Sequence, residues 1–324
     1  MPRRFVVPLL LLAALATTAP AVDQPDLVLD SQSLSTSVTF DVLPFAPTAC
    51  ELQAADLCID GPGTRKLLRF DVFAINQGTA DLVLGDPSRQ PPPVDSHGDP
   101  LFVYSACHGH YHFNSFARYE LRVRNQPSVV KTGSKRAFCV EDTRASTSTE
   151  PRRYDCTNQG IQAGWGDLYP SSLPCQWIDV TDVPPGDYDL WVLLNTAQLL
   201  PESNYDNDSG MTPVTIPAPG TSAPIPKVRL QAPHGKKPRK VGRPLTVRWR
   251  AHVKHGVKLQ DVWLSLDGGT TFALLSGGLV GKIHRYRFVI PPDAVSTQAV
   301  VKVVVWSNDL ERGVATSKPF TITP

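Results

Sequence analysis

LLRFDVFAIN, residues 67–76, is the segment that decides the class of fold. Phe70, Val72 and Ala74 fall at every second position, and β-branched and aromatic residues dominate. A period of two is that of a strand, whose successive side chains point to opposite faces. The same reading extends outward to YELRV at 119–123, YDLWVLL at 188–194, LTVRWRA at 245–251 and VVKVVVW at 300–306, with turn residues between them. Apart from an apolar run at the N-terminus, no stretch longer than two turns keeps a 3.6-residue apolar period. The expectation is a mainly β protein with antiparallel sheets.

A length of 324 residues suggests two cores as a soft prior. The break falls at IPAPGTSAPIPK, residues 216–227, where four prolines with Gly, Ser and Thr make a stiff linker. The expected division is 22–216, a linker at 217–225, and 226–324. In the last part, VRWRA, VWLSLDGGTTFALL, YRFVIPP, AVVKVVVWSND and KPFTIT are spaced as in a small β-sandwich, with Asp267-Gly268-Gly269 as a hairpin turn. It resembles the immunoglobulin-like or fibronectin-like accessory modules of secreted bacterial proteins. Its Trp249, Trp263 and Trp306 read as packing residues, and it offers no catalytic constellation.

MPRRFVVPLLLLAALATTAPAVDQ opens with two arginines, an apolar run from Phe5 to about Ala16, and a small-x-small exit at Ala19-Pro20-Ala21. That pattern reads as a signal peptide over residues 1–21, too short to span a bilayer, so a secreted chain without a transmembrane segment is expected. Net charge is +2, from 32 Lys and Arg against 30 Asp and Glu. Interspersed charge of that kind offers no long-range field to nucleic acid or a membrane surface. The basic cluster HGKKPRK at 234–240 reads most simply as a solvated linker, with a polyanion contact as the alternative, and no function is placed on it. Six cysteines, at 50, 58, 107, 139, 156 and 175, imply disulfides in an exported chain, all of them in its first part.

The segment richest in chemistry is Cys107-His108-Gly109-His110-Tyr111-His112-Phe113. On a strand, positions i, i+2 and i+4 share a face, so three imidazoles can converge on one metal ion. Neutral imidazole suits copper, zinc or iron, and the spacing does not choose among them. A zinc hydrolase on the same histidines would need an open fourth position and an acid partner.

Four blocks, CHGHYHFNSFARYEL, KRAFCVEDT, GWGDLYPSSLPCQWIDVTDVPPGDYDLWV and LPESNYDND, occur in the order and with spacings compatible with the catalytic domain of the lysyl oxidase family. The resemblance covers roughly residues 25–215. It implies a lysyl oxidase-type β-sandwich with long loops, followed by the immunoglobulin- or fibronectin-like sandwich. It further implies copper on His108, His110 and His112, and a lysine tyrosylquinone made from Lys135, four residues before Cys139, and Tyr169, ahead of the CQWID block. The implied activity is oxidative deamination of primary amines, peptidyl lysine among them, by O2 to aldehyde, hydrogen peroxide and ammonia. Lys135 would have to be partly desolvated to act as a neutral amine. Glu141, Asp142 and Asp167 are candidates for the base that removes the substrate proton, and the sequence does not choose.

The resemblance also suggests Cys50 with Cys107, Cys58 with Cys175, and Cys139 with Cys156. Two cysteines that pair in some family members are both missing here, one at the position of Trp165, so none is orphaned. An oxygen-rich turn, Glu202 to Asp208, suits calcium. By resemblance, Asp26, the Leu27 carbonyl, Glu202, Asn204, Asn207 and Asp208 are its candidate ligands, with Asn204 and Asp208 looking like exchanged residue types. The competing reading is a catalytically silent, secreted copper-binding or structural module. Against it, Lys135 and Tyr169 coincide with both cofactor positions, and there is neither a C-x-x-C pair nor a Met-rich site for copper(I).

Overall fold

Residues 23–53, 56–95, 98–137, 139–234 and 237–324 are described by a computed structural model, in which Asn114 and residues 134–137 are described by their backbone alone. The expected signal peptide at 1–21 lies outside the described residues. The chain is mainly β, and among the described residues its one α-helix is Ser31–Ser37, started by Asp30, whose carboxylate accepts from the Gln32 and Ser33 amides. No described helix is long and apolar enough to cross a membrane.

The run at 67–76 is two strands. Gly63–Arg69 pairs with Thr39–Phe45 and Trp177–Asp179 in one sheet, whereas Val72–Asn76 lies between Leu27–Leu29 and Trp165–Tyr169 in another. The chain changes sheet at Phe70-Asp71, where the Asp71 amide donates to Ser37 Oγ and its carboxylate accepts from the Ser171 amide. A larger antiparallel sheet runs Ser209–Ile216, Gly186–Leu194, His110–Val123, Phe102–Ser105, with Val129–Ala137 also paired to His110–Val123. These sheets bury one apolar core that includes Leu68, Phe70, Phe116, Tyr119, Leu190 and Val192. Since β-branched and aromatic residues fit a pleated, half-buried surface, the alternation translates directly into this layered packing.

Beyond residue 226, a sheet of Lys227–Ala232, Pro244–His252 and Arg285–Val289 packs on a second sheet built around Val257–Ser265 and Ser296–Ser307, burying Val247, Trp249, Val262, Val301 and Val303. No described sheet takes strands from both sides of residues 217–226. The hairpin at Asp267-Gly268-Gly269 is wider than a two-residue turn: it joins Val257–Ser265 to Ala273–Leu279, and Asp267 accepts from the Thr270 and Thr271 amides.

Of the three tryptophans, Trp249 is core, while Trp306 and Trp263 sit where the two halves meet. Val42, Leu259, Val304 and Trp306 form a shared apolar cluster, and the Trp263 ring lies so close to Gly63 that an added Cβ would stand 2.3 Å from it. Asp261, 1% exposed, accepts from the amide and hydroxyl of Thr64, both at 2.7 Å.

Candidate metal centre and adjoining cleft

The histidine motif is a hairpin rather than a straight strand. Phe102–Ser105 pairs with the start of His110–Val123, placing Ser105 opposite His110 and Val103 opposite His112. His110 and His112 therefore share a face two residues apart. His108 lies in the turn before the strand, not on it, which corrects the expectation of three histidines in one strand register. Gly109 turns the backbone at φ +75°, a left-handed conformation that glycine adopts without steric cost. Even so, the ligating atoms of His108, His110 and His112 all lie within 4.8 Å of one another. His112 is buried, and its Nε2 is 3.3 Å from His108 Nδ1. Burial, followed by the neighbouring His108, holds His110 below the usual imidazole range, which favours the neutral, ligating form.

A fourth residue of the centre was not anticipated. Asp56, 5% exposed, places Oδ1 3.4 Å from His112 Nδ1 and 3.8 Å from His108 Nδ1. The Cys50–Cys107 disulfide ties its segment to the start of the histidine motif, and Cys58–Cys175 ties the other end to the block after Tyr169. A carboxylate on one ring nitrogen fixes the tautomer and aims the other nitrogen at a metal. The only sequence signal was position: an acid between two cysteines whose partners flank the site.

Tyr169 ends the strand Trp165–Tyr169 and is 2% exposed. Its ring lies 5.5 Å from that of Phe116, in the metal strand. The next residue, Ala117, pairs by backbone with Lys135. Between Phe113 and Ala117 the ladder is irregular, and Ser115 has φ +66°. Lys135 and Tyr169 thus flank the same bulged stretch of strand, although the Lys135 side chain lies outside what is described. Bulges re-aim the side chains of a strand, and this one follows directly on the histidines.

A cleft of about 320 Å³ brings His110 and Tyr169 together with Glu141, Thr143, Asp167, Leu168 and the Cys139–Cys156 disulfide. The Tyr169 hydroxyl donates to the Cys139 carbonyl at 3.1 Å and contacts Asp167 Oδ2. That oxygen also accepts from the Glu141 amide, while Oδ1 accepts from Thr143 Oγ1. Burial pushes Asp167 up to about 8, and burial together with Asp167 pushes the Tyr169 phenol well above its usual range. Glu141, raised by burial, is paired with Arg152. Asp142 is occupied elsewhere, accepting from the amides of Arg153, Tyr154 and Gln162. Of the three acids, Asp167 is the one at the tyrosine hydroxyl.

The oxygen-rich turn folds against the strand Leu27–Leu29. Glu202 accepts from the Leu27 amide at 2.6 Å, and Asn207 Nδ2 donates to the Asp26 carboxylate at 3.2 Å. Asp208 is raised to about 7, by burial first and then by the charges of Glu202 and Asp26. Asn204 does not join them: it is exposed and accepts from the Asp206 amide of its own loop.

A β-protein with a three-histidine centre beside a buried tyrosine is the class that this fold and site define. A family model described as lysyl oxidase matches residues 25–216, and the chain belongs to the lysyl oxidase family. Lysyl oxidase homolog 2 of Rattus norvegicus is 34% identical over 194 residues, 57% of this chain and 23% of that protein. Protein-lysine 6-oxidase of Homo sapiens is 42% identical over 147 residues, 44% of this chain and 32% of that protein. The chain therefore spans only about a quarter to a third of the length of these curated relatives. Among solved structures, the fibronectin(III)-like modules of Clostridium thermocellum CbhA overlay with a TM-score of 0.26 at 11% identity, covering 78% of this chain and 85% of theirs. An overlay that low carries no argument.

Proposed function

We propose that this chain is a secreted, copper-dependent amine oxidase that converts primary amines, peptidyl lysine among them, to aldehydes with release of hydrogen peroxide and ammonia. His108, His110 and His112 would hold Cu(II), and Lys135 and Tyr169 would supply the lysine tyrosylquinone. What carries this reading is the cleft that His110 shares with Tyr169, whose ring packs on Phe116 in the bulged stretch of the histidine-bearing strand. When formed, the quinone is the electron sink of amine oxidation and O2 the final acceptor.

The chain's own residues set the conditions for that chemistry. Asp56 faces the His112 ring, and burial favours the neutral form of His110. Leu168, Pro170 and Leu173 give the cleft apolar walls that suit the alkyl part of an amine. Asp167, at the Tyr169 hydroxyl, is placed to take the proton from the substrate carbon; an acid tuned toward neutral pH is matched to that task. The turn bearing Glu202, Asn207 and Asp208, with Asp26, suits Ca(II), because buried carboxylates held together need either protons or a cation. Residues 22–216 would form the catalytic domain and 226–324 an accessory module, joined at 217–225.

The test is visible absorption and peroxide release by copper-loaded protein, with and without a primary amine and phenylhydrazine. A trapped quinone band with amine-dependent peroxide is expected. Tyr169→Phe and Lys135→Ala should each abolish turnover while leaving copper bound, and activity retained in either would sink the assignment. A colourless, inert protein that holds copper would point to a binding module.

A further inference from the structure

The near balance of charge over the whole chain hides an uneven distribution. From Ser209 to Gln260 there are eleven Lys and Arg and no Asp or Glu. The reading of interspersed charge therefore fails for this segment, and the fold concentrates the excess. In the sheet Lys227–Ala232, Pro244–His252, Arg285–Val289, the inward positions are apolar, with Leu245, Val247 and Trp249 buried. The alternate, outward positions are Lys227, Arg229, Arg248, Arg250, Arg285 and Arg287, all exposed.

Register brings these cations together across strands. Arg229 stands opposite Arg250, and Arg248 opposite Arg285. Like charges directly opposite one another destabilise a sheet. None of the six has an ion-pair partner among the described residues: the pairs in this half are His255 with Asp309, Lys258 with Asp41 and Arg312 with Asp182. Folding alone gives no reason for such a face.

We propose that this face binds a sulfated polysaccharide. The roots of neighbouring arginine side chains stand about 5 Å apart across the strands and about 7 Å apart along them, within reach of one another's guanidiniums. Two forks at that spacing can share the three free oxygens of a sulfate ester, whereas a carboxylate with two oxygens is satisfied by one fork. The flat grid suits an extended polymer with repeated charges. Nucleic acid is the poorer fit, because the one exposed aromatic ring among the outward positions is His252 at the sheet's edge, and no Phe, Tyr or Trp stands among the arginines for successive bases to stack on. A membrane is poorer too, since Val289 and Pro244 at one end are its only exposed apolar side chains. The three disulfides suit a chain that works in an oxidising, extracellular setting, where such polysaccharides occur.

The experiment titrates the full chain with dextran sulfate, unsulfated dextran, duplex DNA and phosphatidylserine-containing vesicles. Dextran sulfate should bind with an affinity that falls steeply as salt rises, and unsulfated dextran should not bind. Arg248→Ser with Arg250→Ser should weaken binding by about tenfold or more. The pair Arg89→Ser with Lys318→Ser removes the same charge from exposed sites outside the face and should leave binding within about twofold. Thermal melts of both variants check that they fold. Absence of dextran sulfate binding, equal loss in both variants, or tighter binding of DNA or vesicles would each overturn the proposal.

Discussion

Asp167 carries the clearest pH dependence of any single residue in the cleft. Its folded pKa of about 8 stands against about 3.9 for an unfolded aspartate. Between those values the folded chain holds a proton that the unfolded chain has released, so stability falls as pH rises through that window. Its neighbours there are Tyr169, Glu141 and Thr143. Denaturant titrations of metal-free protein should show a midpoint that drops between about pH 5 and about pH 7.5. Asp167→Asn should flatten that slope, and identical slopes in the two proteins would refute the assignment. Asp56 has a different signature. Because it faces His112 Nδ1, Asp56→Ala should lower copper affinity by about 10–100-fold, and Asp56→Asn, which keeps an acceptor oxygen, by less. Competition with a chelator measures both, independently of turnover.

The turn from Glu202 to Asp208 is an element whose packing depends on what neutralises it. If calcium sits there at about a hundred times its Kd, it stabilises the fold by roughly 2.7 kcal/mol, a shift of roughly 4 °C in Tm for a chain of this length unfolding as one unit. Glu202→Gln with Asp208→Asn should remove the calcium-dependent shift while leaving copper affinity unchanged, and a melting curve indifferent to calcium in the parent chain would refute the site. Elements of this kind were unevenly legible in the sequence. Alternation marks 188–194 and 245–251 as strands because each has one face on a core. It could not show that 67–76 divides between two sheets, because that depends on what Asp71 meets from distant loops. The alternating histidines were visible as a candidate metal site, yet the turn at Gly109 was not, since nothing local forces a positive φ there. Tyr169 and Lys135 had no local signal and came only from the family pattern. Asp56 was missed because its role depends on which loops the disulfides bring to the histidines.

At the scale of the whole molecule, the two halves share more than a linker. The linker itself is held, with Gly220 and Ser222 donating to the Glu311 carboxylate. Asp41 pairs with Lys258 at 2.6 Å, and Trp306 closes an apolar cluster with Val42. At the centre of the contact, Asp261 accepts from the amide and hydroxyl of Thr64 and, within its own half, from the Gly278 amide at 3.0 Å. Composition pointed to a stiff spacer between independent units, because a pairing 197 residues apart leaves no local trace. Asp261→Ala would leave buried donors unsatisfied at about 1–3 kcal/mol each. Coupling of that size is enough to make both halves unfold together, so calorimetry of the parent chain should give one transition and of Asp261→Ala two. The contact rests on the sheet of Thr39–Phe45, Gly63–Arg69 and Trp177–Asp179, whose Trp177 carbonyl and Ile178 side chain lie close to Gly133 in the strand that carries Lys135. His110 and His112 lie on another sheet and His108 in the turn that leads into it, so copper affinity should be unchanged in Asp261→Ala. A single transition in the variant would show that Asp261 does not couple the halves, and a loss of copper affinity would show that the second half supports the metal centre directly.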